Sequence, residues 1–170
     1  MIEGRKRVYG KFRGKVADNA DPKLKGRIRV KLTTSIYGDE MSGWAEPSLP
    51  YCAPDAGFFF VPPVDANVWV EFEEGDPDKP IWTGCFWNPD ESPVNGLASA
   101  QEAHKIKMIK TESGTIKIDD REGQDIITIE TASGLKIVMN SEWIELSNNA
   151  AKIKMTSSSV SVNDGALEVT

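Results

Sequence analysis

The chain has 170 residues, of which 39% are hydrophobic and 27% charged, with a formal net charge of -6 at pH 7. This length leaves room for one domain or two small ones. The acidic balance argues against partners such as nucleic acid or anionic lipid, because both are negatively charged themselves. The sequence contains no run of 18 apolar residues, the length that a transmembrane helix needs. The basic N-terminal residues are not followed by the apolar segment of a signal peptide.

The first third of the chain predicts short strands separated by glycine and proline. Residues 8–17 and 26–32 alternate between apolar and polar side chains, and a turn at residues 18–25 separates them. Residues 58–61 form an apolar run that two prolines end. The two cysteines, Cys52 and Cys85, are too few for a disulfide framework or a zinc site, so we expect both to be small buried side chains.

Residues 67–88 predict a β-hairpin around which the first half of the chain folds. Val68, Val70 and Phe72 alternate with unlike neighbours, and residues 81–86 form a second strand that is apolar on both faces. Gly75 and the prolines between the two strands interrupt the ladder of hydrogen bonds. Three of the five tryptophans lie in this hairpin, which therefore predicts the centre of a core. About five short strands in fewer than 90 residues favour a small closed barrel, most economically an OB-fold.

Residues 88–103 contain two prolines and few apolar side chains, which predicts a linker. We therefore divide the chain into a barrel at residues 1–90, a linker or neck at residues 91–112 and a second region at residues 113–170. This second region is repetitive. Thr-Glu-Ser-Gly at residues 111–114 returns as Thr-Ala-Ser-Gly at residues 131–134, and short runs with two-residue alternation favour a β-solenoid or β-prism.

A single copy of the second region could not cover its own apolar face, and its short strands would leave bare edges open to aggregation. Several copies wound around a common axis would cover the faces and pair the edges. The side chains that we expect to face such an axis are Ile116, Ile118, Ile127, Ile129, Leu135, Ile137, Ile144, Leu146, Ile153 and Met155.

The acidic, histidine and serine residues that could act in catalysis or bind a metal are better explained by structural roles. A glycosidase needs two carboxylates on either side of a bond, but the acidic residues 71–78 fall on alternate faces of a strand and in a turn. The acidic stretch 119–125 lacks the spacing of an EF-hand, His104 has no second ligand or base nearby in sequence, and residues 157–159 predict a serine turn. We therefore expect no catalytic residue, no cofactor and no metal.

The aromatic residues of the first half of the chain raise a second alternative, the binding of single-stranded nucleic acid. Phe58, Phe59, Phe60, Trp69, Trp82 and Trp87 could stack on bases, as in OB-folds that bind single strands. However, acidic residues crowd the same hairpin and would repel a phosphate backbone. We therefore assign these aromatic residues to core and interface positions.

Several motifs together resemble contractile-tail spike proteins. They are Gly-Arg-Ile-Arg-Val at residues 26–30, Gly-Asp-Pro-Asp-Lys-Pro-Ile at residues 75–81 and Thr-Glu-Ser-Gly at residues 111–114. The family includes phage baseplate assembly protein V, the phage central spike and the VgrG-like spikes of type VI secretion and extracellular injection systems. The resemblance implies an all-β protein with an N-terminal OB-fold barrel followed by an intertwined, trimeric β-helix (β-prism) needle.

The resemblance further implies a non-enzymatic, homotrimeric spike that pierces a target cell envelope and connects a hub to a tip. Only seven residues precede the first predicted strand, so we expect another protein to supply the hub on the N-terminal side. We expect a PAAR-like tip protein at the C-terminal end, transient contact with the target envelope and no nucleic acid. Synthesis in the cytoplasm and assembly into a virion or secretion baseplate follow. The alternative is an OB-fold module that binds nucleic acid or sugar and carries an oligomerising β-tail.

Overall fold

The computed structural model describes residues 7–169, and in this range the chain forms β-strands and short 3-10 turns but no α-helix. It divides after Asn88 into two compact units. The basic N-terminal residues 1–6 and the C-terminal residue of the predicted needle lie outside the described residues. Within residues 7–169, no helix has the length and apolar character needed to cross a bilayer.

The first unit is built on a five-stranded sheet. Its strands are β1 (Phe12–Asp18), β2 (Arg29–Leu32), β3 (Glu46–Pro47), β6 (Asn67–Phe72) and β7 (Pro80–Cys85), in the order β2-β1-β6-β7-β3. All neighbours are antiparallel except β3 and β7. A separate small hairpin consists of β4 (Cys52–Ala53) and β5 (Ala56–Gly57).

The two edges of this sheet are joined through the segment before β3. Ile28 and Ala45 exchange backbone hydrogen bonds of 3.2 and 2.7 Å, and the Ser42 amide donates to the Val30 carbonyl at 2.8 Å. Because β3 then pairs with β7, the ladder returns on itself. The result has the five strands and mixed pairing of an OB-type barrel.

The barrel core draws half of its eight buried side chains from the predicted hairpin. These core residues are Val16, Ile28, Val30, Ala45, Val68, Val70, Phe72 and Trp82. Trp82 also donates its indole N–H to the Gly26 carbonyl at 3.1 Å, so the ring is buried without an unsatisfied donor. The hairpin lies at the centre of the sheet because β6 is its middle strand.

Two expectations for this unit are wrong. Cys52 and Cys85 are exposed rather than buried. Phe58, Phe59 and Phe60 belong to no strand and are 50–67% exposed, so of the apolar run Val61 alone packs against the core. Of the three tryptophans in the hairpin only Trp82 is in the core, while Trp87 is 66% exposed.

The second unit is an eight-stranded antiparallel meander in which each strand pairs with the next. Its strands are β8 (Ile106–Lys110), β9 (Gly114–Asp119), β10 (Ile127–Thr131), β11 (Lys136–Met139), β12 (Trp143–Ser147), β13 (Lys152–Thr156), β14 (Val160–Val162) and β15 (Leu167–Val169). Strand β8 lies in the stretch interpreted from sequence as a neck, and it pairs with β9. The structure does not establish a closed β-helix in the single chain, where the meander is an open sheet.

Candidate interaction surfaces

One face of the meander carries two uninterrupted rows of apolar side chains. The strand register sets each member opposite an apolar residue of the next strand, and side chains two residues apart share a face. Row one consists of Ile109, Ile116, Ile129, Ile137, Leu146, Ile153, Val162 and Leu167. Row two consists of Ile118, Ile127, Met139, Ile144, Met155, Val160 and Val169.

The structure therefore places the axis-facing residues predicted from sequence on one face. Nine of the ten lie in the two rows, and Leu135 lies just before β11, outside the strand. Ile109 was missed because its strand was interpreted as part of the neck. The last members of both rows could have been added from sequence, since residues 160–169 alternate in the same way.

This apolar face is not covered within the single chain. Eight of the ten predicted residues are 40–53% exposed, whereas the apolar core of the barrel is at most 7% exposed. Among residues 89–169 that the structure describes, Ile106 and Val138 are the buried hydrophobic residues. Most of the apolar surface of this sheet is therefore exposed in a single chain. Contiguous exposed apolar surface of this kind marks a site of interaction with another molecule.

The opposite face of the meander is mostly polar, and it also carries the buried Ile106 and Val138. Glu130 lies opposite Lys136, and Glu145 lies opposite Lys154. The Lys154 ammonium is also 4.4 Å from the centre of the Trp143 ring. Opposite charges across neighbouring strands are favourable, and such side chains tolerate water. The two faces therefore differ in chemistry, and only the apolar one needs a partner.

A buried charge cluster fixes the start of the meander. The Asp119 carboxylate is inaccessible to solvent and accepts hydrogen bonds from Arg121 Nε at 2.9 Å and Lys117 Nζ at 3.3 Å. The Arg121 guanidinium holds the pKa of Asp119 well below its usual range, although burial acts to raise it. Arg121 also donates to the Leu97 carbonyl at 2.8 Å. The cluster ties the stretch before β8 to the connection between β9 and β10, and this acidic stretch is a structural turn.

The acidic residues of the barrel hairpin do not converge on a common cleft. Glu71 pairs with Lys11 at 3.3 Å, and Glu73 pairs with Lys79 at 3.6 Å. Both are ion pairs at the surface, where such pairs stabilise little. In residues 7–169 the structure brings no three His, Cys, Asp or Glu side chains into an arrangement that could hold a metal ion. His104 lies exposed in a 3-10 turn before β8.

The aromatic residues outside the core fall into two groups. Trp69 packs against Phe86 in a tilted arrangement with ring centres 4.7 Å apart, and the Arg13 guanidinium lies over both rings. The faces of these two rings are therefore already covered by Arg13 of the same chain. Phe58 and Phe60 lie 6.1 Å apart on the surface. Of the core and interface positions assigned from sequence, Trp82 takes a core position, and the exposed rings are left for the interface.

Comparison with known proteins gives a match for each unit. Residues 12–87 match a family model described as the type VI secretion system/phage-baseplate injector OB domain. Residues 105–168 match one described as the phage baseplate V C-terminal trimerisation domain.

Of three individual relatives, two are named as spike proteins and one as a toxin. A type VI secretion system spike protein of Pseudomonas aeruginosa, VgrG4b, is 29% identical over 111 residues, which is 61% of this chain and 14% of the relative. Another from the same organism, VgrG5, is 30% identical over 119 residues, again 61% and 14%. The actin cross-linking toxin VgrG1 of Vibrio cholerae is 26% identical over 135 residues, 73% of this chain and 12% of the relative. The chain thus spans less than a fifth of the length of these relatives.

Proposed function

Because the chain belongs to the type VI secretion and phage-baseplate injector family, we propose that it forms the homotrimeric spike at the centre of a contractile injection machine or phage baseplate. The observation that carries this proposal is the pair of apolar rows, which stay about half exposed in one chain. Row one crosses all eight strands of the second unit, and row two crosses the seven strands from β9 to β15. Three copies that turn these faces toward one axis bury them together. The match to a trimerisation domain supports three as the number of copies.

The proposed role is mechanical. In an intertwined trimeric β-helix, each strand edge pairs with a neighbour, so local bending requires many backbone hydrogen bonds in three chains to break together. Such a needle transmits axial force from a contracting sheath and pierces the target envelope. No turnover is involved, so the chain acts as a structural protein and not as an enzyme.

The parts of the chain then have separate tasks. The barrel, to about residue 90, contacts a hub protein on the N-terminal side. A neck spans residues 91–112, and the needle, from residue 113, carries a PAAR-like tip protein at its C-terminal end. The chain is made in the cytoplasm and is assembled into a virion or secretion baseplate.

The alternative is an OB-fold module that binds nucleic acid or sugar and oligomerises through its tail. Two observations count against it. The connection between β6 and β7, one of the loops with which OB-folds bind ligands, carries four carboxylates and one lysine. The Trp69 and Phe86 rings are covered by Arg13 and do not offer a free stacking surface.

The proposal is tested by removing the reading frame from the cells that encode it. We expect electron microscopy to show no assembled contractile particles in the deletion strain, and a wild-type copy to restore them. Particles that assemble and contract normally without this chain would overturn the proposal. Salt-dependent binding of single-stranded DNA by the purified chain would favour the alternative.

A further inference from the structure

Charge is distributed unevenly over the barrel. Residues 7–31 contain nine Lys or Arg and two Asp, whereas residues 32–88 contain one Lys and ten Asp or Glu. Residues 7–31 include β1 and β2, which are neighbours in the sheet. These two neighbouring strands carry four cations and one carboxylate, so they hold an excess of positive charge although the chain as a whole is acidic.

Residues of β1 and β2 line a cleft of about 560 Å³. Arg13, Lys15 and Lys31 line this cleft, and we therefore call it the cationic cleft. The cleft also has apolar walls, which include Leu32, Met41 and Phe86, and a single carboxylate, Asp65. Cations therefore outnumber carboxylates in a concave site that also offers apolar contact.

Two of these cations are held against each other. Lys15 and Lys31 are directly opposite partners in the antiparallel pair of β1 and β2. Like charges in this position destabilise a sheet. Within residues 7–169 neither lysine has an ion pair, and the Arg13 guanidinium contacts aromatic rings at 4.8 and 5.1 Å rather than a carboxylate. A group of carboxylates placed in the cleft would relieve this repulsion.

The same barrel offers such a group. The connection between β6 and β7 contains Glu73, Glu74, Asp76 and Asp78, which we call the acidic turn. The turn has a fixed backbone, because the Asp76 amide donates to the Glu73 carbonyl at 2.9 Å and the Tyr37 hydroxyl donates to the Pro77 carbonyl at 2.6 Å. Burial raises the pKa of Tyr37 to about 12. The four acidic residues therefore project from a backbone that is held in place.

The cleft and the turn cannot meet within one chain. Lys15 lies opposite Asn67 at the start of β6, whereas Glu73 follows the end of that strand. Six residues of extended strand separate these positions by roughly 20 Å. In a threefold ring, however, each contact joins one patch to a different patch on the next copy. The barrel carries two such patches of opposite charge.

We propose that in the trimer the acidic turn of one barrel docks into the cationic cleft of the next. This inference rests on the proposed function, since it requires three copies. The barrels then form a closed ring of three identical salt-sensitive contacts. The needle holds the barrels at high local concentration, so each contact can be weak by itself and still form.

The test is cross-linking of the full chain with a water-soluble carbodiimide, which condenses a lysine amine and a carboxylate in contact into an amide with loss of water. We expect amides that join Lys15 or Lys31 to residues 73–78, found by mass spectrometry in bands of two and three chains. Because of the separation within one chain, such a link can only join two copies. Lys11 and Glu71, 3.3 Å apart, provide an internal control that links within the chain.

Charge-reversal variants sharpen the test. Lys15→Glu with Lys31→Glu removes the reactive amines and so the links. Adding Glu73→Lys with Glu74→Lys should restore links between chains in the reverse sense, which requires the two surfaces to be in contact. Lys23→Glu, which changes an exposed lysine outside the cleft, should leave them unchanged. High salt during the reaction should lower the yield of links between chains, because it screens the attraction between the two surfaces.

The proposal is overturned if a particle of trimeric mass gives the Lys11–Glu71 link but no link from the cleft to the acidic turn. It is also overturned if the cleft lysines link to other carboxylates instead. Light scattering on the same sample separates this failure from that of the proposed function, because a particle of monomeric mass would contradict both.

Discussion

Replacing Ile129 by aspartate is expected to abolish the trimer. Ile129 lies in row one between Ile116 and Ile137, and in the proposed needle it recurs three times around one axis. Each chain would lose roughly 1.5–3 kcal/mol of apolar burial. It would also place a carboxyl group in an apolar site without a partner, at a cost of roughly 2 kcal/mol or more. Three copies at one level multiply both losses, so resistance to SDS and heat should disappear.

Two matched variants separate charge and face from general damage. Ile129→Val removes one methylene at the same position and should cost about 0.5–1.5 kcal/mol per chain. Glu130→Gln changes the neighbouring residue, which lies on the polar face opposite Lys136, and should change little. If Ile129→Asp keeps its resistance, or if Glu130→Gln loses it, the apolar rows do not face the axis.

The second large effect is expected in the barrel, where Trp82→Ala should lower the melting temperature of that unit strongly. Trp82 is 5% exposed and is the largest side chain of the core. Truncation of a buried tryptophan costs about 3–5 kcal/mol, and the Gly26 carbonyl loses its indole donor as well. For a domain of this size, this corresponds to a decrease of about 12–40 °C. Calorimetry of the full chain measures the change.

Trp87→Ala is the control for this variant, because it makes the same substitution in the same hairpin at a residue that is 66% exposed. It should stay within about 0.5 kcal/mol of the unmodified chain. Trp82→Phe, which keeps most of the ring volume, should fall between the two. Equal melting of Trp82→Ala and Trp87→Ala would mean that the hairpin is not the centre of the core.

The strands and the apolar face of the second unit could be predicted because they depend on local alternation. Ile116 and Ile118, or Ile127 and Ile129, share a face wherever a strand lies, and so the interaction face follows from a period of two. Strand β8 was missed because Ile106, Met108 and Ile109 do not alternate cleanly. The two faces of that strand are both partly apolar.

Features that depend on pairing between distant strands could not be predicted. That Lys15 lies opposite Lys31 is a consequence of register, which the turn between β1 and β2 and a bulge in β1 determine together. The exposure of Phe59 could not be read either. An apolar run is typical of a buried strand, but here no strand forms at residues 58–60 and the rings stay at the surface.

The mass of the unmodified chain in solution tests the central claim most directly. Light scattering at micromolar concentration should give about three times the 18.7 kDa of one chain, and dilution should not dissociate the particle. A particle of 18.7 kDa that melts cooperatively would contradict the account, because the apolar rows of a single chain would then be stable in water without a partner.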